Sequence, residues 1–135
     1  MTAIVGIGID LVECARLGRI LEGRLGERFK RRVFTDHERQ YCDSKPKPLE
    51  HYAARFAAKE AAFKALGTGV WRAQMGWHQV EVGKAGDGAP ELRFHGAALQ
   101  RARSLGVCKA LVSLTHAGGM AAAQVLLQNR EDRIE

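Results

Sequence analysis

Two carboxylates, Asp10 and Glu60, occupy positions that solvent exposure alone does not explain. Asp10 lies in the run IVGIGIDLV, where Val5, Ile7, Ile9 and Leu11 alternate with Gly6, Gly8 and Asp10. Glu60 falls inside the apolar stripe of a helical stretch, among Leu49, Tyr52, Phe56 and Phe63. An ionised carboxylate in apolar surroundings must find a compensating charge or take up a proton. Brought together, two such groups suit a hard divalent cation such as Mg²⁺, which takes oxygen ligands and keeps positions for water and a substrate phosphate. The plainer alternative is an i,i+4 ion pair from Glu60 to Lys64, with a solvated strand end at Asp10. His116 precedes a Gly-Gly turn at the end of a strand, yet a lone histidine is more often structural than catalytic; His37, His51, His78 and His95 have nothing to set them apart from that role. Gly6-x-Gly8 lacks the third glycine and the directly following helix of a dinucleotide fingerprint. Gly67-x-Gly69, at a helix end, is a weak signal on its own but has the backbone amides to meet a phosphate.

The elements that must position these residues read clearly. Residues 4–12 alternate with period two, so Val5, Ile7, Ile9 and Leu11 are expected to pack into a core. The two glycines mark the opposite face as one that another element or a ligand approaches closely. A short helix is expected from Glu13 to Leu21, and a second around Arg24–Arg32 carrying Phe29. Thr35 and Glu38 have capping-box spacing for a helix ending near Cys42. Asp43–Pro48 is a polar loop. The strongest helix signal is Leu49–Leu66, rich in Ala, free of internal Gly and Pro, and closed by Gly67; Lys59 and Lys64 fall at the edges of its stripe. Trp77–Val82 and Pro90–Phe94 flank Asp87-Gly88 as a hairpin. His95–Leu105 reads as a surface helix, and Val107–Thr115 as a strand turned back by Gly118-Gly119 into Met120–Leu127. Residues 1–128 are thus expected to form one domain, with 129–135 as a polar tail.

The 135 residues fit a single domain, and 46% apolar with 27% charged residues excludes a disordered chain. No apolar run approaches a membrane span, and no signal-peptide pattern opens the chain, so a cytoplasmic location is expected. Three cysteines without C-x-x-C spacing support neither a disulfide framework nor a zinc site. The charge is localised: between Arg16 and Arg32 seven basic residues face two acids, an excess of five out of the chain's net +6. Such a cluster steers anionic partners to one region.

Gly6-Ile7-Gly8-Ile9-Asp10, Phe34-Thr35 with Glu38, Arg55-Phe56-Ala57-Ala58-Lys59-Glu60-Ala61 with Lys64 and Gly67-Thr68-Gly69, and Ser113-Leu114-Thr115-His116 with Ala121-Ala122-Ala123 together resemble holo-acyl-carrier-protein synthases. These are the small single-domain group of the 4′-phosphopantetheinyl transferases. The resemblance runs in order through nearly the whole chain. It implies an α+β fold with a small antiparallel sheet packed against a long helix and several short ones. It also implies transfer of the phosphopantetheine arm of coenzyme A to a serine of an apo acyl carrier protein, in support of fatty acid synthesis, releasing adenosine 3′,5′-bisphosphate.

Carried over residue by residue, the resemblance assigns Mg²⁺ to Asp10 and Glu60, and catalysis to these two and Lys64. It places Arg55, Lys64, Gly67, Gly69, Pro90, Thr115 and His116 around coenzyme A. The first helices would face the acidic carrier protein, with Arg16, Arg24, Arg28 and Arg32 meeting carboxylates and Ile20 and Phe29 as apolar anchors. It further implies a homotrimer with active sites between subunits. A basic RNA-binding domain is the rival from another class, but the cluster holds only Phe29 for stacking and leaves Glu60 unexplained. A Mg²⁺-dependent phosphohydrolase explains the acids and not the basic helices. Neither nucleic acid nor membrane is therefore an expected partner.

Overall fold

The computed structural model describes residues 3–67 and 75–129. The chain opens with strand β1 (Ile4–Glu13), followed by helices α1 (Cys14–Glu22), α2 (Gly26–Val33), α3 (Asp36–Asp43) and the long α4 (Pro48–Ala65). A 3-10 turn (Trp77–Gln79) leads to strands β2 (Val80–Lys84) and β3 (Pro90–Phe94), then helix α5 (Gly96–Ser104) and strands β4 (Val107–Ala117) and β5 (Met120–Asn129). Among these, one antiparallel sheet has the order β1-β5-β4, and β2-β3 form a separate hairpin. This is the expected α+β architecture.

α4 lies across the larger sheet. Pro48 starts it, where a missing N–H costs nothing, and Gly67 (φ +75°) ends it in the left-handed region. Arg101 of α5 donates from Nε to the Leu66 carbonyl (2.9 Å), satisfying one of the acceptors left open at that end. The seven alanines of α4, at 53, 54, 57, 58, 61, 62 and 65, are all buried and spread over about half of the helix circumference, not along one narrow stripe. Alanine lets backbones approach, and β1 uses that: a Cβ at Gly6 or Gly8 would collide with the carbonyl oxygen of Ala65 or Ala61. The glycines therefore do receive a second element.

That contact reverses the expected orientation of β1. Gly6, Gly8, Asp10 and the buried Val12 face α4, whereas Ile7 (60% exposed), Ile9 (60%) and Leu11 (64%) face outward. The helix backbone can seat only on the side without side chains, so the branched face is left outside. Val5 alone rejoins the core, next to a register shift between Ile4 and Gly6. The inward faces of the other strands come from Ala121, Ala123, Val125 and Leu127 on β5 and from Ala110, Val112 and Leu114 on β4.

Other local expectations hold with adjustments. Thr35 Oγ1 accepts from Glu38 N (3.2 Å) and Glu38 Oε1 accepts from Thr35 N (2.8 Å), a complete capping box. The β2-β3 turn has Gly88 at φ +85°. The strand expected to start at Trp77 starts three residues later, because Trp77–Gln79 coil into a 3-10 turn while the Trp77 ring packs on Phe56 and Phe63. β5 runs one residue into the expected tail: Asn129 N donates to Ala3 O (3.0 Å), and its side chain accepts from Ala3 N (2.7 Å). No described helix is long and apolar enough to cross a membrane.

Lys59 sits at the heart of the molecule, not at a stripe edge. Its Nζ reaches Glu38 Oε1 (2.8 Å), the Trp77 carbonyl (3.0 Å) and the Val80 carbonyl (2.6 Å), and both ionic side chains are 0% exposed. Glu38 Oε2 also accepts from Val82 N (2.8 Å). Burial pushes the Lys59 pKa below its ordinary value, with the Glu38 carboxylate pulling the other way. One network thus joins α3, α4 and β2.

Candidate active site

β1 brings Asp10 to the α4 side of the sheet edge, and α4 presents Glu60 and Lys64 one turn apart. Lys64 Nζ donates to Asp10 Oδ1 (2.9 Å) and to the Ile9 carbonyl (3.0 Å). The i,i+4 pair between Glu60 and Lys64 is thus replaced by a pair across two elements. Glu60 makes no hydrogen bond and no ion pair within the described residues. Burial raises its pKa, the Asp10 charge raises it further, and Lys64 opposes both. Two carboxylates facing a single ammonium leave one negative charge uncompensated.

Asp10 and Glu60 share a cleft of about 490 Å³ with Glu13, Arg16, Leu17, Ile20, Phe29, Phe56 and Met120. Three of the six residues expected at a protein partner, Arg16, Ile20 and Phe29, therefore stand in the same cleft as the acids. Arg24, Arg28 and Arg32 are exposed on the α1-α2 turn and α2. Phe29 is held by Phe56 (ring centroids 5.9 Å), which places an α4 residue beneath the basic helices.

The other expected residues lie elsewhere. Thr115 and His116 project to opposite faces of β4, Thr115 outward with Leu111 and Ser113. His116 pairs in register with Ala121, which pairs with Val12, so it stands two strands, about 10 Å, from β1. It lines a second cleft of about 350 Å³ with Cys14, Lys47, Leu49, Glu50 and Met120, its Nδ1 3.9 Å from Glu50 Oε2. Met120 borders both clefts. Gly67 sits at the end of α4, one turn beyond Lys64, and Gly69 lies outside the described residues.

Arg55 is 4% exposed, and its Nε has no hydrogen-bond partner. Its guanidinium carbon lies 4.0 Å from the centroid of the Tyr41 ring. Lys45 Nζ (4.6 Å) and Lys84 Nζ (4.8 Å) approach the same ring, and Pro90 pairs in register with Lys84. Tyr41, Lys45 and Lys84 escaped sequence reasoning because they come from separate elements and share no spacing. The only available signal was a buried arginine beside an aromatic residue.

An aspartate of the edge strand β1 thus meets Glu60 and Lys64 of α4 beside a cleft whose wall carries Arg16. The profile of the 4′-phosphopantetheinyl transferase superfamily matches residues 6–123. This chain belongs to that superfamily. Among relatives within the superfamily, the holo-[acyl-carrier-protein] synthase of Koribacter versatilis (strain Ellin345) is 46% identical over 126 residues, covering 93% of this chain and 99% of its own. The Geobacter sulfurreducens synthase is 47% identical over 125 residues, covering 93% and 98%. Of solved structures, the Neisseria meningitidis synthase superposes with a TM-score of 0.83 at 30% identity, covering 93% of this chain and 98% of its own. The Bacillus anthracis synthase, solved in complex with CoA (3′,5′-ADP), gives 0.76 at 32% identity, covering 94% and 98%.

Proposed function

We propose that this protein transfers the 4′-phosphopantetheine group of coenzyme A to a serine of an apo acyl carrier protein, giving the holo carrier and adenosine 3′,5′-bisphosphate. One observation carries the reading: Glu60 and Asp10, the latter bonded to Lys64, share a single cleft with the Arg16–Ile20–Phe29 wall. Chemistry and partner docking are thereby adjacent, as transfer between a small molecule and a protein side chain requires.

Asp10 and Glu60 fit a hard divalent cation, because they offer oxygen donors, one of them unbonded, with a negative charge to spare. They would hold Mg²⁺, which when bound neutralises the diphosphate of coenzyme A. The serine hydroxyl gives its proton to a carboxylate of the cleft, and its oxygen bonds to the β-phosphorus. The bond from that phosphorus to the bridging oxygen breaks, and adenosine 3′,5′-bisphosphate leaves with the electron pair. Lys64, half exposed and already oriented by Asp10 and the Ile9 carbonyl, is placed to stabilise or protonate that leaving phosphate. The basic face built from Arg16, Arg24, Arg28 and Arg32 attracts an acidic carrier, and Ile20 with Phe29 supplies apolar contact.

Arg55, Gly67, Gly69, Pro90, Thr115 and His116 would serve coenzyme A. Thr115 and His116 lie outside the cleft of their own chain, and a neighbouring subunit's copy would complete it. The outward face of Ile7, Ile9 and Leu11, with Leu111 (39% exposed) and Met120 (37%), supports such association. A homotrimer in the cytoplasm, acting in fatty acid synthesis, is the reading we adopt.

The test is intact-mass spectrometry of an acidic apo carrier protein incubated with this protein, coenzyme A and Mg²⁺, with and without EDTA. A Mg²⁺-dependent gain of one phosphopantetheine group is expected. No gain with several carriers and a folded protein overturns the proposal. Light scattering tests the trimer, and a monodisperse monomer at micromolar concentration refutes it.

A further inference from the structure

We propose that Arg101 is a positioning residue that locks the end of α4, and Gly67 with it, in the form that receives coenzyme A. The inference rests on the function proposed above, which sets Gly67 against that substrate.

The last carbonyls of a helix have no partner within it. At the end of α4, Lys64 O accepts from Gly67 N (3.0 Å) and Leu66 O accepts from Arg101 Nε (2.9 Å). Gly67 has therefore committed its own amide. What it offers a ligand is an exposed α-carbon without a side chain, held at φ +75°. Arg101 backs that carbon: a Cβ at Gly67 would lie 3.3 Å from Arg101 Nη2. One guanidinium thus caps Leu66 and supports the glycine after it. Arg101 forms no ion pair with a carboxylate among the described residues, and its charge meets the negative end of the α4 dipole.

The cap is rigid because it closes a ring of contacts. Lys59 of α4 holds the Trp77 and Val80 carbonyls, which bracket Gln79. Gln79 O accepts from His95 N (2.8 Å), and Gln79 Oε1 from Ala98 N (3.2 Å), so the start of α5 hangs on that residue. Ala98 and Ala102 are buried and seat α5, with Arg101 between them. The path leaves α4 at the buried Lys59 and returns to it at Leu66. Lys64 is held separately, by Asp10 and the Ile9 carbonyl. Loss of the guanidinium therefore frees Gly67 and leaves the reacting groups in place, so its effect falls on coenzyme binding and not on the chemical step.

The test is the steady-state kinetics of Arg101→Met, which keeps an unbranched side chain and loses the guanidinium. KM for coenzyme A is expected to rise about tenfold, as loss of one hydrogen bond to a charged group implies. The carrier protein docks on α1 and α2, so its KM, like kcat, should stay within about twofold. A residue that only stabilised the fold would lower Tm without this split. An unchanged KM for coenzyme A, an equal rise for both substrates, or a fall in kcat in its place overturns the proposal. Hydrogen exchange reads the lock without ligand: the Gly67 amide should exchange about tenfold faster in the variant, and equal rates overturn the proposal too. Should Arg101→Met fail to fold, Arg101→Lys, which keeps the charge and loses the fork, must show part of the same rise in KM. If wild type transfers nothing, the function fails and calorimetry still decides the inference. Adenosine 3′,5′-bisphosphate must then bind wild type about tenfold more tightly than Arg101→Met, and equal affinities overturn it.

Discussion

Replacing Lys59 with Met should nearly unfold this protein, although Lys59 touches no part of the proposed reaction. Methionine fills most of the lysine volume but leaves the Glu38 carboxylate at 0% exposure without its cation. Removing one member of a buried pair costs about 3–5 kcal/mol, because a charge stays buried and uncompensated. The Trp77 and Val80 carbonyls, now 3.0 and 2.6 Å from Nζ, also lose their donor. Domains of this size hold only about 5–15 kcal/mol in total, so one substitution consumes much of the margin. Glu38→Gln keeps acceptors for Thr35 N or Val82 N but strands the ammonium, and should cost a similar amount. The double variant Lys59→Met with Glu38→Gln removes both charges. Its loss should fall short of the sum of the singles by about 2 kcal/mol or more, the signature of directly coupled groups. Urea unfolding followed by tryptophan fluorescence reads this well, since Trp77 packs on Phe56 and Phe63 and its carbonyl belongs to the network. Protein concentration must be held constant across the variants, as subunit association shifts apparent stability. A Lys59→Met loss below about 1 kcal/mol, or singles that simply add, would refute the reasoning.

Gly8→Ala places a methyl group against the Ala61 carbonyl; β1 must move away from α4, lowering stability by about 1–3 kcal/mol or more and reducing transfer with it, because Asp10 rides on that strand. Unchanged melting and unchanged activity would show that the strand and helix are not in register as described. Glu60 has a folded-state pKa above its unfolded value, so its favourable contribution is present below the unfolded pKa and is lost as pH rises through the raised one. Glu60→Gln should therefore raise the metal-free Tm at neutral pH while abolishing transfer, and a lowered Tm would contradict the burial of that charge. In wild type the acid limb of activity should begin above the ordinary glutamate range and move to lower pH as Mg²⁺ is increased, since cation and proton compete for the same oxygens. Lys64→Ala should cut kcat about 100-fold, as general acids commonly do, and change the Mg²⁺ dependence far less; a normal kcat removes Lys64 from the mechanism. Raising salt from about 0.02 M to about 0.5 M should lower kcat/KM for the carrier protein about tenfold, and a flat response would argue against docking on Arg16, Arg24, Arg28 and Arg32.

Much of the candidate site was legible from local pattern. The glycine pair before Asp10 announced a close approach, and the Ala-rich helix with Glu60 and Lys64 announced the element that makes it. The Thr35–Glu38 capping box and the Asp87-Gly88 hairpin came from spacing alone, because caps and tight turns are satisfied by residues a few positions apart.

Tertiary packing decided what local rules leave degenerate. Period-two alternation is the same whichever side of β1 is covered; only the backbone-to-backbone seating of α4 on Gly6 and Gly8 turned Ile7, Ile9 and Leu11 outward. Lys64 had an i,i+4 partner in Glu60 and chose Asp10, fifty-four positions away, because β1 brings that carboxylate to 2.9 Å. Lys59 was an edge position on a helical projection and became a core residue, since Glu38 and two carbonyls from distant segments converge on it. Tyr41 with Lys45, Arg55 and Lys84 had no pattern at all. Sequence periodicity records which residues share a face of one element; which charge meets which is set by the distances between elements, and those exist only once the chain has folded.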